Sequence, residues 1–467
     1  METHDHPVGF FCGKCMVKKS NSNPRLSALH ILNEVEENEV FLDPLMDREY
    51  ERLSPLDKSL LKELVYGTLQ WQGYIDWVID RYAERKTHKM GSAVRNSLRL
   101  GTYQLLFLNK IPAFAAIFES VELVKEKEGV PVSGFVNGVL RAILRDKEAK
   151  KIPALKDDSA RNLAIKYSQP EWLVKRWCSR YGVDVAGRWF KNNTSPPPFT
   201  IRVNRVLIDR DRLVNILFDE GINTEKTPYS PIGLMLEKPG DVTRLHSYQK
   251  GLFYIQDEAS QLVPFLLSPR SGEQILDACA APGGKATQLA ELIGDRGEVL
   301  AIDKSPERIN LLQRNLKRLG LTSVKPRQLD LTKDVKEFQK RGFNKILLDA
   351  PCSGIGVLRR HPEGKWQKKE NLLGSYSKIQ SNLLNVVSKG LKAGGILVYS
   401  TCSTEPEENE KVIEKFLTSN PGFKVENPRA SLPESCYRFI GKDNFFRTYP
   451  EPHNMDGFFA VRMVKKS

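Results

Sequence analysis

The stretch that decides the fold is KILLDAPCSGIG, residues 345–356. Its apolar run has the composition of a buried parallel strand, and it ends at a carboxylate, Asp349, which a thiol, Cys352, soon follows. Because ligands of open α/β sheets bind outside the carboxyl ends of the strands, this order predicts an acid and a thiol at a binding site. A second thiol, Cys402, follows a second apolar run, 396–399. We therefore interpret the two strand ends as parts of one active site.

A short apolar run that ends in aspartate occurs four times in this part of the chain. The four runs are 274–277, 299–303, 327–330 and 345–349. The first three follow one another at about the ~30-residue length of a βαβ unit. Strands that alternate with helices predict a parallel, doubly wound sheet, so we expect an α/β domain at 241–467.

A loop of small residues, DACAAPGGK at 277–285, follows the first of these strands and precedes an amphipathic helix. It lacks the glycine spacing of dinucleotide sites and of phosphate loops, which disfavours a pyrophosphate ligand. Asp303 stands about 20 residues further on, where an acid holds ribose hydroxyls in such folds. Asp330 is then placed to accept a hydrogen bond from an adenine amine. We predict a nucleoside cofactor without a pyrophosphate, namely S-adenosylmethionine.

Two thiols at adjoining strand ends favour a particular methyl transfer. The C5 carbon of a pyrimidine is a poor nucleophile until a thiolate adds at C6, and a base must then remove the C5 proton so that the thiol can leave. A carboxylic acid near N3 would donate a proton as the ring becomes electron-rich. Cys352, Cys402 and Asp349 supply these three kinds of group. Either cysteine alone would be interpreted as a small buried hydrophobe, and spacing does not choose the nucleophile.

The first half of the chain has a different pattern. Helical periodicity with few strand-like runs predicts an all-α domain at 24–150. We expect its aromatic residues, which include Phe114 and Phe118, to pack in the core or between helices. A linker and a small α+β unit are predicted at 151–240, because a strand-like run is followed there by a helical stretch. This unit is a candidate for gripping RNA, although a packing role is as well supported.

Residues 1–23 are expected to form a disordered tail. Cys12 and Cys15 have the spacing of half a zinc site, but no second such pair exists, and we predict no metal site. The seven scattered cysteines fit reduced thiols in the cytoplasm. No apolar run approaches the ~20 residues that span a membrane, and no signal peptide is present, so we expect a cytoplasmic protein without a membrane partner.

The net charge of +14 favours a polyanionic partner such as nucleic acid. One basic loop follows the Cys352 motif closely, and its aromatic residues would suit an extruded base. We predict that it contacts RNA through Arg359, Arg360, Lys365, Lys368 and Lys369, which surround His361 and Trp366.

Together these motifs identify a resemblance. The chain resembles the bacterial RsmB (Fmu/Sun) RNA cytosine-C5 methyltransferases, which modify small-subunit ribosomal RNA. DACAAPGGK is similar to the cofactor loop of that family, and DAPCSG and STCS are similar to its two thiol motifs. The segments 359–366, 446–450 and 455–459 also look like family segments, and the resemblance runs from about residue 25 to the C-terminus.

The resemblance implies a multidomain fold: a NusB-like, all-α, RNA-binding N-terminal domain, the α+β middle unit, and a class I (Rossmann-like) methyltransferase domain. It implies that Cys402 is the nucleophile and that Cys352 assists release, with Asp349 as the third catalytic residue. It also implies a cofactor site formed by Cys279, Ala280, Ala281, Pro282, Gly283, Gly284, Lys285, Asp303, Asp330 and Asp349.

The expected substrate is 16S rRNA, free or in an early small-subunit assembly intermediate, and no DNA partner is expected. The thiol pair would also fit a tRNA cytosine-C5 methyltransferase, although the NusB-like domain favours rRNA. A catalytically inactive RNA-binding or antitermination-like scaffold is a further alternative, which the intact cofactor loop and both thiols disfavour. An N-methyltransferase ranks last, because such enzymes carry Asp/Asn-Pro-Pro-aromatic where this chain has Asp349-Ala-Pro-Cys352.

Overall fold

A computed structural model describes residues 23–40, 42–155, 157–333 and 340–466 of the protein. The predicted tail, with Cys12 and Cys15, lies outside the described residues except for Asn23. The chain divides into two compact units. The first unit comprises Met1–Leu69 with Ile75–Ile152, and the second comprises Gln70–Tyr74 with Pro153–Ser467.

The first unit is built of helices, which confirms the all-α prediction. The side chain of Asn23 begins the first helix by accepting hydrogen bonds from the backbone N–H groups of Arg25 and Leu26, at 2.9 and 3.4 Å. Apolar residues at helical spacing, such as Leu29 and Leu32, form the buried stripe of that helix. The helices are α1 Pro24–Asn38, α2 Leu42–Tyr50, α3 Pro55–Tyr82, α4 Ser92–Phe107, α5 Ala113–Glu128 and α6 Val130–Glu148.

The prediction that Phe114 and Phe118 pack in the interior is wrong. Their side chains are 76% and 61% exposed, and their spacing of four residues places both on the outer face of α5. Ala116, Ile117 and Val124 form the buried face of the same helix. Aromatic character alone did not distinguish the two faces.

The second unit contains a small antiparallel sheet whose strand order is β2-β3-β1-β4. Its strands are β1 Phe199–Val203, β2 Thr224–Lys226, β3 Gly233–Leu236 and β4 Phe253–Ile255. Ile201, Leu213 and Leu217 belong to the apolar cluster that packs this sheet against a helix, as predicted for an α+β unit. The fourth strand comes from beyond residue 240 and pairs with β1.

The second unit also contains the large sheet that positions the predicted site. Its strands are β5 Gln274–Asp277, β6 Glu298–Asp303, β7 Val324–Gln328, β8 Phe343–Asp349, β9 Leu391–Thr401, β10 Phe423–Val425, β11 Phe446–Arg447 and β12 Phe459–Lys465. The order is β10-β12-β9-β8-β5-β6-β7, and β11 pairs with β12. The five strands from β5 to β9 are parallel, as predicted, whereas β12 joins β9 antiparallel and makes the sheet mixed.

Helices cover both faces of this sheet, and an apolar cluster lies on each side of it. In the second unit the helices are α7 Ala160–Lys166, α8 Glu171–Tyr181, α9 Val183–Asn193, α10 Arg210–Asp219, α11 His246–Gln249, α12 Glu258–Leu266, α13 Gly284–Leu292, α14 Pro306–Leu319, α15 Glu363–Gln367, α16 Leu372–Ser388, α17 Glu410–Ser419 and α18 Pro450–His453. None of the helices in the described ranges has the length and apolar character that a membrane span requires.

Three of the four predicted strands end in aspartate as expected, and the third does not. β7 ends at Gln328, two residues before Asp330. Asp330 instead accepts hydrogen bonds from the backbone N–H and the hydroxyl of Thr332, at 3.0 and 2.6 Å, and so forms a turn after the strand. β7 lies at the edge of the sheet, where Pro326 is tolerated within a strand.

Candidate active site

The carboxyl ends of the central strands bring the predicted site residues to one edge of the sheet. Asp277 at the end of β5 pairs in register with Leu347 of β8, and Asp349 at the end of β8 pairs with Ser400 of β9. Cys402 follows immediately after β9. Residues that are far apart in sequence therefore meet because their strands are neighbours.

The small-residue loop after β5 is held by its neighbours through backbone groups. The Ala278 N–H donates to Leu347 and the Ala280 N–H to Ile302, at 2.9 and 2.8 Å. Gly283 ends the loop with φ +112°, and a Cβ added there would lie 2.5 Å from Leu312 of α14. Only glycine suits this position, because it combines a left-handed φ with close packing.

Asp303 at the end of β6 faces this loop. Its carboxylate accepts hydrogen bonds from the backbone N–H groups of Ala281 and Ser305, at 3.3 and 3.0 Å, and Arg308 lies 3.5 Å away. The side chain is only 4% exposed. The acid is therefore oriented at the loop, where the sequence predicts a ribose partner.

Asp277 and Cys279 are titratable groups at the start of this loop, and Asp277 is fully buried whereas Cys279 is half-buried. Neither oxygen of the Asp277 carboxyl has a hydrogen-bond partner among the described residues. Burial, and then the charge of Asp349, raise its pKa to about 8. Burial likewise raises the pKa of the Cys279 thiol, which keeps that thiol protonated.

Lys285 and Asp349 form an ion pair at the edge of the sheet. The Nζ of Lys285 lies 2.7 Å from one carboxylate oxygen, and the hydroxyl of Ser400 donates to the other, also at 2.7 Å. Burial is the largest single influence and lowers the pKa of Lys285, but the charge of Asp349 and its hydrogen bond, with smaller contributions from Cys402 and Asp277, together raise that pKa. Lys285 therefore stays protonated beside the thiol, and Asp349 acts as an acceptor on both oxygens.

The two thiols lie together, as predicted. The Sγ atoms of Cys352 and Cys402 are 3.3 Å apart, and either can donate to the other. The hydrogen bond to Cys402, followed by burial, raises the pKa of Cys352 well above its ordinary value. The geometry therefore places two sulfur atoms within reach of one small ring.

Close backbone approach fixes the loops that carry the thiols. The Gly356 N–H donates to the Cys402 carbonyl at 2.9 Å, and the Gly457 N–H donates to the Gly356 carbonyl at 2.8 Å. A Cβ added at Gly356 would lie 2.0 Å from the Gly457 carbonyl oxygen. Three segments that the sequence singled out therefore meet around a position that only glycine can occupy.

Three family models match the chain. The model of the 16S rRNA methyltransferase RsmB/F matches residues 264–464, the NusB family model matches residues 22–145, and the ferredoxin-like domain of RsmF/B-like methyltransferases matches residues 169–243. The chain is 38% identical over 444 residues to "Probable ribosomal RNA small subunit methyltransferase B" of Bacillus subtilis strain 168, which covers 94% of this chain and 98% of that protein.

The chain belongs to the RsmB/F methyltransferase family. It is also 33% identical over 451 residues to ribosomal RNA small subunit methyltransferase B of Salmonella arizonae, a match that covers 96% of this chain and all of that protein. The predicted NusB-like and methyltransferase domains are confirmed, and the middle unit is ferredoxin-like.

Solved structures show the same architecture. The structure entitled PH0851 is similar over 95% of this chain and 99% of that chain, with a TM-score of 0.81 and 26% identity. NSun6 from Pyrococcus horikoshii, solved with SFG, matches 64% of this chain and 98% of that chain, with a TM-score of 0.57 and 26% identity. The second comparison covers about two thirds of the chain.

The basic loop after Cys352 differs from its prediction as a uniform RNA-contacting element. Arg360 is bound to the carboxylates of Asp257 and Asp456, at 2.7 and 2.9 Å. Arg359 donates to the carbonyl of Ser195 at 2.9 Å, and Lys365 is buried with a bond to the carbonyl of Ser168. These three side chains bind groups of the protein itself.

Other members of the loop remain more accessible. Lys368 is half-buried and donates to the hydroxyl of Tyr376 at 3.0 Å, whereas Lys369 is exposed. Lys369 is therefore accessible to a phosphate, as the prediction of RNA contact requires, whereas Arg360 is engaged by two carboxylates and Lys365 is buried.

Sequence reasoning missed two polar residues at the site, Ser400 and Glu408. Ser400 binds Asp349 as described above, and its position as the in-register neighbour of a strand-end acid was available once β8 and β9 were recognised as adjacent. Glu408 is fully buried and accepts hydrogen bonds from both thiol loops. The run of carboxylates after STCS was the only signal for it. No group of His, Cys, Asp and Glu in the described part of the chain is arranged to hold a metal ion.

Proposed function

We propose that this RsmB/F family member transfers a methyl group from S-adenosylmethionine to C5 of a cytosine in 16S rRNA, through a covalent bond between Cys402 and C6. The observation that carries the proposal is the 3.3 Å separation of the Cys402 and Cys352 sulfur atoms, beside the Lys285–Asp349 ion pair. Methyl transfer to an amine or a hydroxyl needs no such pair of thiols, whereas attack through C5 needs a nucleophile at C6 and a group that restores the ring.

Charges around the thiols support the assignment of the nucleophile. Interaction with Cys402 is among the causes that raise the pKa of Lys285, so a cation lies near the Cys402 sulfur atom. Cys352 has a raised pKa, and the nearby Glu408 carboxylate contributes to that shift after the bond to Cys402 and burial. Cys352 therefore holds its proton firmly, and we assign the attack on C6 to Cys402.

The remaining groups suit the later steps. Cys352, as a thiolate whose proton has passed to solvent, can accept the C5 proton, and the Cys402–C6 bond then breaks with its electron pair returning to Cys402. Lys285 can supply the proton that reaches N3 by way of Asp349, because its Nζ lies 2.7 Å from that carboxylate, and the proton returns by the same route when the adduct breaks down. Ser400 holds the second carboxylate oxygen in place.

The loop after β5 fits S-adenosylmethionine. The unpartnered carboxyl of Asp277 and the oriented carboxylate of Asp303 are features that suit an amine and a ribose. We propose that residues 279–285 and Asp303 hold the cofactor with Asp330 and Asp349. S-adenosylmethionine supplies an electrophilic methyl group when it is bound. The neighbour solved with SFG, an analogue of S-adenosylmethionine, supports this assignment.

The substrate assignment rests on the family and on the N-terminal domain. Two relatives that cover nearly the whole chain are named for the small-subunit ribosomal RNA, and a NusB-like domain precedes the methyltransferase domain. The net charge of +14 suits an RNA partner. We propose that the enzyme acts in the cytoplasm, on 16S rRNA that is free or in an early assembly intermediate.

A Cys352→Ala variant tests the proposal. In this variant Cys402 still attacks, release stalls, and a protein–RNA adduct should persist on a denaturing gel after incubation with S-adenosylmethionine and total RNA. Sequencing of the trapped RNA would identify the substrate. Cys178→Ala is the matched control, because Cys178 is a half-buried thiol of α8 that should leave turnover unchanged without an adduct. An adduct with Cys402→Ala would reverse the thiol assignment, and the absence of both adduct and methyl transfer would contradict the function.

A further inference from the structure

Glu408 lies between the two loops that carry the thiols. Its carboxylate accepts from the Ser353 backbone N–H at 2.8 Å and from the Ser353 hydroxyl at 2.5 Å. The Ser403 hydroxyl donates to the same carboxylate at 2.5 Å. Ser353 directly follows Cys352, and Ser403 directly follows Cys402. One side chain therefore binds the residue next to each thiol.

A third element is tied to the same point. The side-chain amide of Gln380, on α16, donates to Glu408 at 3.1 Å and to the Pro351 carbonyl at 3.0 Å. The Tyr399 hydroxyl donates to the backbone carbonyl of Glu408. Glu408 is thus held at its side chain and at its backbone, so its carboxylate has a fixed position relative to both loops.

The burial of Glu408 needs an explanation other than stability. Glu408 is fully buried, and within the described ranges it takes part in no ion pair. Burial raises its pKa, which the hydrogen bonds from Ser353 and Ser403 oppose. A buried carboxylate without a cation is costly, and an apolar residue would avoid that cost. It accepts from four neutral donors instead: two belong to the Cys352 loop, one to the Cys402 loop and one to Gln380. The gain from burying Glu408 is therefore the connection between the two thiol loops.

We propose that Glu408 is a positioning residue that ties the Cys352 loop to the Cys402 loop and thereby sets the separation of the two sulfur atoms. The inference rests on the proposed function for its catalytic meaning, because both thiols must act on one ring. We call the hydrogen bonds of Glu408 to Ser353 and Ser403 the clamp, and the clamp exists in the free protein. It can therefore be tested without RNA.

The RNA-free test uses the Cys352–Cys402 disulfide as a measure of thiol proximity. In glutathione buffers the two thiols lose two protons and two electrons as the S–S bond forms, and glutathione disulfide accepts them to give two glutathione thiols. Peptide mass spectrometry after alkylation quantifies the 352–402 disulfide at equilibrium. We expect Glu408→Ala to lower its equilibrium constant at least about tenfold, as for loss of one hydrogen bond to a charged group.

The controls separate a clamp from a general defect. Glu408→Gln keeps an acceptor for the Ser353 N–H and should give an intermediate constant. Glu407→Gln removes the preceding carboxylate, which binds Lys411 and Arg176 instead, and should leave the constant unchanged. If Glu408→Ala does not fold, the double variant Ser353→Ala/Ser403→Ala removes the clamp from the other side. An unchanged constant in the variants that fold would overturn the proposal.

Steady-state kinetics provide the catalytic readout. Glu408→Ala should lower kcat for methyl transfer roughly 100-fold, an effect of misplacing catalytic groups by about 1 Å, with the KM values for RNA and cofactor within about twofold. A lower disulfide constant with unchanged kcat would overturn the positioning role. If the unmodified protein transfers no methyl group, the proposed function fails, whereas the disulfide constant still decides whether the clamp exists.

Discussion

The strand-end site and the basic loop at 359–369 are adjacent in sequence, and the sequence marked both as functional, but the structure uses them differently. At the strand ends, Cys352, Cys402 and the Lys285–Asp349 pair converge. In the basic loop, Arg360 and Lys365 turn inward and bind the protein's own carboxylates and carbonyls. Both regions are rich in polar residues, but those at the strand ends form a candidate site, whereas those in the basic loop bind other groups of the protein.

Position in the fold is therefore more informative about function than residue composition. A polar group at the carboxyl end of a parallel strand has no neighbour beyond it in the sheet, so it is available to a ligand. A basic residue in a loop has no such constraint, because it can satisfy a buried carboxylate as readily as a phosphate. The following variants test whether the strand-end residues act in methyl transfer while the inward residues of the basic loop act in stability.

The largest expected effect is at the strand-end site. Lys285→Met removes the cation beside Cys402 and Asp349, and kcat for methyl transfer should fall roughly 10³-fold, within the range for loss of an acid–base group. Lys345→Met is the matched control, since Lys345 is also buried and lies at the opposite end of β8. Initial rates at saturating cofactor measure the effect. Equal losses in the two variants would mean that Lys285 matters only for packing.

A second variant tests the basic loop. Arg360→Met leaves Asp257 and Asp456 without their cation, and the free energy of unfolding should fall by about 3 kcal/mol, as for breaking a buried ion pair. RNA affinity and its salt dependence should be unchanged. Urea unfolding and filter binding at several salt concentrations measure the two properties.

Lys369→Met supplies the contrast within the same loop. Lys369 is exposed, so this variant should keep the stability of the protein. If Lys369 contacts a phosphate, the slope of log affinity against log salt should decrease by about one. If Arg360→Met keeps the stability of the protein and weakens RNA binding, Arg360 binds RNA and the contrast between Arg360 and Lys369 is wrong.

The smallest expected effect concerns the buried Lys365. Burial lowers its pKa to about 7 from an ordinary value of 10.5. Between these two pH values the unfolded chain holds one more proton than the folded protein, so the free energy of unfolding should rise with pH in this window, by at most ~1.4 kcal/mol per pH unit. Lys365→Met should remove this slope and be the more stable protein at pH 7. Parallel slopes for the two proteins between about pH 7 and 10 would show that Lys365 is charged when folded.

Most of the architecture could be predicted because local patterns determine it. Short apolar runs that end in aspartate located β5, β6 and β8, since a strand buried on both faces is apolar throughout. The end of β7 was missed because an edge strand is under weaker constraint, and Asp330 forms its own turn. The exposed Phe114 and Phe118 were missed because a residue type does not state which face of a helix is covered.

The site could be predicted only in part, because its contacts depend on strand order. The residue types of Asp349, Cys352 and Cys402 indicated the chemistry, and the family resemblance assigned the two thiols. The bonds that Asp349 receives from Lys285 and Ser400 depend on neighbours more than 50 residues away in sequence, brought close by the order of β5, β8 and β9. The position of Glu408 between the thiol loops could not be predicted for the same reason, since its partners lie in two separate loops.

The most direct test of the central claim follows the C5 hydrogen. 16S rRNA carrying tritium at C5 of its cytosines would be incubated with the protein and S-adenosylmethionine, and both tritium in water and methyl groups in RNA would be counted. We expect one tritium to be released for each methyl group transferred, and neither event with Cys402→Ala. Methyl transfer without release of tritium would contradict attack through C5, and with it the role of the two thiols.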